Sequence, residues 1–382
     1  MNRTDVLVVG GGIAGAATAF YLARDGASVR LVERATIGGL ASGANAGSLH
    51  AQIPHDPFRQ LGADWARRFT PAIRLFIASL ALWQELEVEL AADLEIGFGG
   101  GLLVGATAGE LAEMEEKAVI ERAAGLDVQL LDGRELAHVA PYLATRAAGG
   151  ALCAVEGKAN PLLVAPAYAR AAVRAGAIVK AHAGEAMIAR DGSDYVVESD
   201  VGRHVAHRLV IAAGAESGRL AAMLGARLAI EAFPIQVSVT EPTAPLIPHL
   251  VYCAGEKLTM KQTRAGSILI GGGWSARVDP GGRPVVDPQS LAANLRVACS
   301  VVPAVAGLRI VRSWAAYVNG TADWLPILGE LPGAPGAFVN YVPWMGFTGA
   351  PAASLAIAAM VRGRAPPMDV PFAGFAPGVS DG

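Results

Sequence analysis

Three cysteines in 382 residues, Cys153, Cys253 and Cys299, are too few and too far apart for a disulfide framework, and no C-x-x-C offers zinc or iron–sulfur ligands. They read as buried thiols, which suit a reducing cytoplasm, the expected location. Charge is sparse as well. Charged side chains make up 17% of the chain and nearly cancel, to a net −3, which leaves no basic footprint for nucleic acid. The histidines give no metal spacing, and no metal is expected; His204 and His207 share a strand on which one faces solvent. Long apolar runs are missing too. The most apolar stretch near the C-terminus, 350–361, is too short to span a bilayer and is followed by Arg362 and Arg364. The apolar start at Val6 lacks the basic flank and cleavage site of a signal peptide. No period of roughly 20–50 residues recurs, which argues against a solenoid or propeller.

What the chain has in plenty is glycine and apolar bulk. With 53% hydrophobic residues, 46 Gly and 23 Pro, it suits a compact, loop-rich α/β enzyme of two domains. The glycines say most at Val6 to Gly15, VLVVGGGIAG. Residues 4–9 read as a strand buried on both faces, 14–24 as an Ala-rich helix stopped by Gly26, and 28–32 as a second buried strand ending in Glu33. Gly10, Gly12 and Gly15 fill G-x-G-x-x-G between strand and helix, the context in which that motif binds a dinucleotide. Gly10 permits the tight turn, Gly12 lets a pyrophosphate approach the backbone, and Gly15 lets helix and strand pack closely. Ile13 and Ala14 stand at the helix start, where free N–H groups and the positive dipole end would face the phosphates. Glu33 would accept hydrogen bonds from ribose hydroxyls and repel the extra phosphate of NADP. The motif alone does not choose between NAD and FAD.

Residues 34–50 form a small, polar, glycine-rich loop, and long loops in compact domains are usually functional. Its Ser42, Asn45, Ala46 and Gly47 would bring backbone amides against a flat ligand. Residues 57–91 carry helical periodicity, with Leu61, Trp65, Phe69, Ile73, Phe76, Leu80 and Trp83 on one core stripe and Pro71 expected to kink or split it. Residues 94–107 read as strands, 110–124 as an amphipathic helix with a solvated Glu/Lys face, and Asp132 as a helix N-cap. A helix from Asn160 and Pro161 to Arg174 precedes strands at 178–182, 185–190, 194–199 and 203–211. The last of these ends in small residues, which makes Ala213 and Gly214 candidate cofactor contacts. Alternating strands at 235–240, 258–263 and 268–270 suggest a sheet-rich substrate domain set between dinucleotide-binding segments. A helix at 288–299, strands at 308–317 and 337–341, a glycine turn at Gly346 and a helix at 351–362 follow.

The glycine motif with Glu33, the loop to Gly47, the strand end at Ala212 to Gly214, the run 325–329 (LPILG) and Gly346, Phe347 and Thr348 occur in an order that resembles the D-amino-acid-oxidase/glycine-oxidase family of FAD enzymes. The resemblance covers essentially the whole chain. The stretches 42–50 (SGANAGSLH), 156–163 (EGKANPLL) and 343–348 (PWMGFT) are similar to the branch of glycine-oxidase-like enzymes and of the β subunits of opine, D-hydroxyproline and glycine dehydrogenases. The resemblance implies an α/β fold: a Rossmann-like FAD-binding domain of the glutathione-reductase type, with an inserted α+β substrate domain built on an antiparallel sheet. It places the FAD-binding domain at 1–85, 150–222 and 312–371, the substrate-binding domain at 86–149 and 223–311, and a tail at 372–382. By position, Gly10, Gly12, Gly15, Glu33 and Arg34 would hold the ADP half. Ser42, Asn45, Ala46 and Gly47 would lie along pyrophosphate and flavin, and Gly346, Phe347 and Thr348 would approach the flavin's pyrimidine edge. Relatives with covalent flavin carry a cysteine in the segment matching 313–325; there is none here, so the FAD is expected to be non-covalent.

One departure bears on the substrate. Many amine-oxidising relatives carry W-A-G-x-R-P on the strand leading to the flavin, where the arginine clamps the substrate carboxylate. Here Val318 stands in the arginine's place, in WAAYVN at 314–319, and a guanidinium is the best carboxylate partner. Lys261, Tyr252 and His50 are the candidate replacements, although a solvated lysine, a core-edge tyrosine and a loop histidine are their plainer readings. Tyr317 and Trp344 complete the candidate pocket, with Trp344 walling an apolar side. The implied activity is oxidation of a C–N bond in a glycine-type or N-substituted amino acid. Hydride would pass from the carbon beside a neutral amine to the flavin, the imine would hydrolyse to an oxo acid such as glyoxylate plus the amine, and O2 would be the reoxidant. One alternative is the β subunit of a hetero-oligomeric dehydrogenase that passes electrons to a partner; another is a flavin-binding subunit without substrate chemistry. An NAD-dependent dehydrogenase has no place for residues 41–50 or for the C-terminal glycine turn. The expected partners are a small amine or amino acid and a second copy or dehydrogenase partner.

Overall fold

The computed structural model describes residues 3–378, and its first sheet grows from the glycine strand. Arg3–Val9 is buried on both faces over its last four residues, as a central parallel strand must be. Val29–Val32 pairs with it on one side and Gly202–Ile211 on the other, both parallel. Ile178–Lys180 and Ala337–Tyr341 extend the two sides, also parallel. Ile327–Glu330 closes one edge antiparallel, and the hairpin Met187–Asp191/Asp194–Ser199 hangs from Gly202–Ile211. The helix Ile13–Arg24 packs against Pro161–Arg174 and Gly346–Val361. Alanine dominates these helices, so their backbones approach closely and almost every residue of the first is buried.

The second sheet runs, in spatial order, Ile310–Gly320, Glu231–Pro242, Ser267–Gly271, Thr259–Gln262, Leu250–Cys253, Gly101–Gly105, Gly149–Cys153 and Gln129–Asp132. Its pairs are antiparallel except Leu250–Cys253 with Gly101–Gly105, so the expected antiparallel sheet is in fact mixed. By hydrogen bonding, Ile310–Gly320 and Gly149–Cys153 both belong to this sheet, across the boundaries expected at 312 and 150. Phe372–Phe375 forms one turn that docks Phe375 at 1% exposure; of the tail expected from 372, residues 379–382 lie outside the described residues.

Three local expectations are corrected. The long helix, His55–Leu90, breaks at Gly62 (φ 76°, ψ −179°) and not at Pro71. Pro71 has no N–H for the carbonyl of Arg67, and Thr70 Oγ1 donates to that carbonyl instead, at 2.8 Å. Leu61, just before the break, leaves the core stripe and is exposed. The last long helix starts at Gly346, five positions before 351, so Gly346, Phe347 and Thr348 form its first turn. The third correction concerns charge. Helix Ala108–Ala123 buries Lys117 and Glu121 completely, 2.6 Å apart. Glu121 Oε1 accepts the Ile53 N–H at 2.7 Å and Lys117 Nζ donates to Gln52 Oε1 at 3.4 Å. These two charges go inward because they fasten the segment 52–53.

Breaking a buried pair leaves an uncompensated charge, whereas replacing both members with apolar groups does not. Lys117→Met or Glu121→Leu alone is expected to cost about 3–5 kcal/mol in urea unfolding. The double variant should regain most of that loss; equal losses in all three would show that the pair is not a unit.

Candidate active site

Residues from both sheets line one cavity of about 1600 Å³. At one end is the glycine turn. Gly10 has φ +108°, and a Cβ there would strike the Ala212 carbonyl. Gly12 precedes the helix in extended backbone (φ −68°), and a Cβ there would stand 2.9 Å from Ser42 Oγ. Gly15 lies behind the wall, pressed on the Gly10 carbonyl. Ile13 N donates to Ser42 Oγ at 2.9 Å, while the other first-turn amides have no carbonyl inside the helix to bond. Glu33 is 6% exposed; its two oxygens accept the Gly11 and Ala35 amides at 2.5 and 2.8 Å. A carboxylate has further lone pairs for ribose hydroxyls. Ala14, Arg34, Ala213 and Gly214 line the same end, with Ala213 N fixed on Ser217 Oγ at 3.1 Å.

The middle of the cavity is a seam between the small-residue loop and the last helix. Ser42, Asn45 and Ala46 line it. Gly47 (φ +73°) sits in the wall behind, its amide on Asn45 Oδ1 at 2.7 Å. Thr348 Oγ1 accepts the His50 amide at 3.1 Å and donates to the Ser48 carbonyl at 3.2 Å. Gly346 and Phe347 line the cavity beside it, and Phe347 packs on Trp83 with ring centroids 5.1 Å apart. Trp314 Nε1 donates to the Ala44 carbonyl at 2.8 Å, which ties the second sheet to the loop. A dinucleotide fits this donor set: an open glycine position, a helix N-terminus, a buried acid at a strand end and a lined channel leading away from them.

The far end holds the substrate candidates. His50 and Tyr252 stack with centroids 6.1 Å apart. Tyr252 OH donates to Glu156 Oε2 at 3.2 Å, and Glu156 Oε1 accepts the Ala51 and Gln52 amides at 2.6 and 2.7 Å. Burial, then Glu156, raises Tyr252 well above its ordinary range, so it stays a phenol; burial pushes Glu156 up. Burial and Lys261 hold His50 down to about 3, so the imidazole is neutral. Tyr317 lines the cavity, but its hydroxyl is turned onto the Gly282 carbonyl at 2.9 Å. Trp344 (φ 53°) stacks between Trp324 at 4.4 Å and Phe233 at 4.9 Å, an aromatic wall. Lys261 is neither solvated nor on the cavity surface: it is 2% exposed and its Nζ donates to Ser48 Oγ at 2.6 Å. Burial and Lys158 hold it down to about 7. Val318 lines the cavity and brings no cation.

Several wall residues escaped the sequence reading. Trp314 shares a strand face with Ala316 and Val318, a period-two signal that was available. Glu156, behind the wall, lies in a stretch already singled out, but no spacing reveals that it reaches Tyr252 from the turn before Gly157–Lys158. His55 also lines the cavity, 9% exposed, and among the described residues neither of its ring nitrogens has a hydrogen-bond partner. Its Nε2 is 3.3 Å from Glu113 Oε2 without hydrogen-bond alignment. Burial, Lys117 and Arg59 hold it down to about 3. Cys253 lines the cavity, whereas Cys153 is buried elsewhere. His204 is buried and His207 exposed, as their strand positions require. No group of three His, Cys, Asp or Glu among the described residues could hold a metal. Among the same residues, no helix is long and apolar enough to cross a membrane.

The family model described as FAD dependent oxidoreductase matches residues 5–360. The chain belongs to that family. It is 31% identical over 351 residues to a glycine oxidase of Geobacillus kaustophilus, covering 88% of this chain and 87% of the relative. It is 29% identical over 353 residues to an opine oxidase subunit of Rhizobium meliloti, covering 89% and 88%. The crystal structure of the Geobacillus kaustophilus glycine oxidase superposes with a TM-score of 0.84 at 28% identity, over 99% of both chains. The protein is a FAD-dependent oxidoreductase.

Two outcomes follow from this geometry. Gly12→Ala should fold, because the added methyl meets only the movable Ser42 side chain, yet weaken FAD binding at least about tenfold, or 1.4 kcal/mol; titration of apoprotein by flavin absorbance reads this. His55 has an ordinary value of 6.5 and a folded value of about 3. The unfolded chain therefore binds the extra proton in that window, and stability falls as pH drops from 6.5 toward 3. His55→Phe should flatten that part of the apoprotein's stability–pH curve; an unchanged slope would contradict the assignment.

Proposed function

We propose that this protein oxidises the C–N bond of an N-substituted, glycine-type amino acid. The observation that carries the reading is the lining of the cavity that also holds the Ser48–Thr348 seam: the stacked Tyr252 and His50, the stacked Phe233, Trp344 and Trp324, and Val318 with no guanidinium. The kinship with a glycine oxidase and with a component of an opine oxidase supports an amine or amino acid as the substrate. The cofactor half follows the first sheet, and the substrate half the second, including Gly149–Cys153 and Ile310–Gly320.

FAD, when bound, supplies the two-electron acceptor; the protein binds, orients and excludes water. Gly10, Gly12, Ile13 and Ala14 would hold the pyrophosphate with Gly15 packed behind them, Glu33 and Arg34 the ribose side, and Ser42, Asn45 and Ala46, backed by Gly47, with Ala213, Gly214, Gly346, Phe347 and Thr348 the rest. Tyr252 gives its only proton to Glu156, so its oxygen faces the substrate as an acceptor for the amine N–H. His50, neutral, is a second polar contact without added charge. The aromatic wall takes the N-substituent and keeps water from the reacting carbon. Without an arginine at 318, a bare glycine carboxylate is poorly held, and affinity has to come from the apolar wall.

A second reading shares the same site. Two kinds of relative are components of larger enzymes, one from an opine oxidase and one the beta subunit of a sarcosine oxidase. That kinship favours a chain that passes electrons to a partner instead of O2. Anaerobic addition of glycine, sarcosine, D-proline and N-alkyl or N-carboxyalkyl glycines to the holoprotein separates substrates by bleaching of the flavin bands. N-substituted glycines are expected to bleach it and glycine to do so least; preference for free glycine over all of them would overturn the proposal. Fast recovery of colour in air marks an oxidase, slow recovery the electron-passing component. Val318→Arg should lower the KM for glycine several-fold, about 1 kcal/mol or more for a charge-assisted contact.

A further inference from the structure

Buried charges are ordinarily paired, because an ammonium out of water loses solvation that only an anion or several acceptors restores. Lys261 departs from that rule. On strand Thr259–Gln262 it is 2% exposed, and its Nζ donates to one neutral oxygen, Ser48 Oγ, at 2.6 Å. The charged group acting on it is a second cation, Lys158. Lys158 Nζ donates to the Gln262 carbonyl at 2.5 Å, and its backbone pairs with Ser48 across the short ladder Ser48–Leu49/Gly157–Lys158. Among the described residues neither lysine has a carboxylate partner. Two ammonium groups therefore converge behind Ser48, and Ser48 lies on the cavity wall, in the seam laced to Thr348. A site built this way is incomplete until negative charge arrives on the cavity side.

We infer that Lys261, acting through Ser48, is the counter-charge for the negative charge that FAD takes up on reduction, and is not a ligand of the substrate carboxylate. The balance is simple. A hydride brings two electrons and one proton to a neutral ring system, which leaves one net negative charge; Lys261, in its ammonium form, meets that charge across one hydroxyl. Preorganised charge in a dry wall acts strongly and costs no reorganisation at the moment of reaction. Burial and Lys158 oppose the ammonium form, and an anion beyond Ser48 restores it.

The test uses FAD-loaded protein and needs no amine substrate, so it stands apart from the reading of the substrate above. Two-electron midpoint potential, by dye-coupled reduction, and sulfite affinity are measured for the wild type, Lys261→Met, Lys261→Arg and Ser48→Ala. Lys261→Met should bind sulfite at least about tenfold more weakly and lower the potential correspondingly, about 30 mV per tenfold for a two-electron couple. Lys261→Arg should return most of both, and Ser48→Ala should shift both the same way by less. Binding of an amine-free carboxylate, acetate or glycolate, should stay within about twofold, far below the tenfold that 1.4 kcal/mol represents. Unchanged potential and sulfite affinity in folded Lys261→Met would overturn the inference. So would loss of carboxylate binding with the potential intact. Should Lys261→Met fail to hold FAD, Ser48→Ala and Lys261→Gln are read in its place, and unchanged values there overturn it equally.

Discussion

The cavity depends on how one short segment, residues 47–53, is held. Its amides are claimed from four directions. Gly47 is fixed by Asn45, His50 by Thr348 of the last helix, Ala51 and Gln52 by the carboxylate of Glu156, and Ile53 by Glu121. Ser48 and Leu49 pair with Gly157 and Lys158. A backbone this close to a cavity would otherwise leave buried N–H groups without partners, which costs more than the bonds themselves contribute. Two buried carboxylates do most of the fastening, and each is tolerated only because it accepts more than one hydrogen bond.

That arrangement places opposite demands on neighbouring groups. Glu156, fully buried, anchors the segment and orients Tyr252 at once, so the rigid wall and the proposed substrate contact depend on one side chain. Lys117 answers Glu121 inside the protein, while among the described residues Lys261 and Lys158 have no acid partner behind Ser48. The side chains named around the proposed substrate position, His50, Tyr252, Phe233, Trp324 and Trp344, are aromatic, while Arg59, Lys117 and Lys257 also line the cavity. The charge distribution thus separates a wall that must not move from one that waits for an anion.

The parts of this protein that local chemistry decides were legible in the sequence. The strand–glycine–helix unit, Glu33, the N-cap at Asp132, the helix start at Asn160 and Pro161 and the buried stripe of the long helix all follow from residue type and period. What escaped is set by contacts across the chain. Thr70 donating to the carbonyl of Arg67 lets Pro71 continue a helix. Lys117 and Glu121 look like a solvated i,i+4 pair until residues 52–53 arrive from another segment. Lys261 alternates correctly for a strand, but which face meets the cavity depends on Ser48, more than two hundred residues away. The glycine turn was readable because its motif is local; Tyr252 and Trp344 could be named from the sequence, but that Glu156 joins Tyr252, and that Phe233 and Trp324 flank Trp344, is set by contacts between separate elements.

The central claim is that the turn at Gly10–Gly15 and the seam at Ser48–Thr348 form one site for FAD. The most direct measurement is the visible spectrum of the purified chain, followed by identification of what heat releases from it. The account predicts structured flavin bands and one FAD per chain, with neither FMN nor NAD in its place. A colourless protein that takes up no FAD from solution, or one that binds FMN as well as FAD, would contradict it.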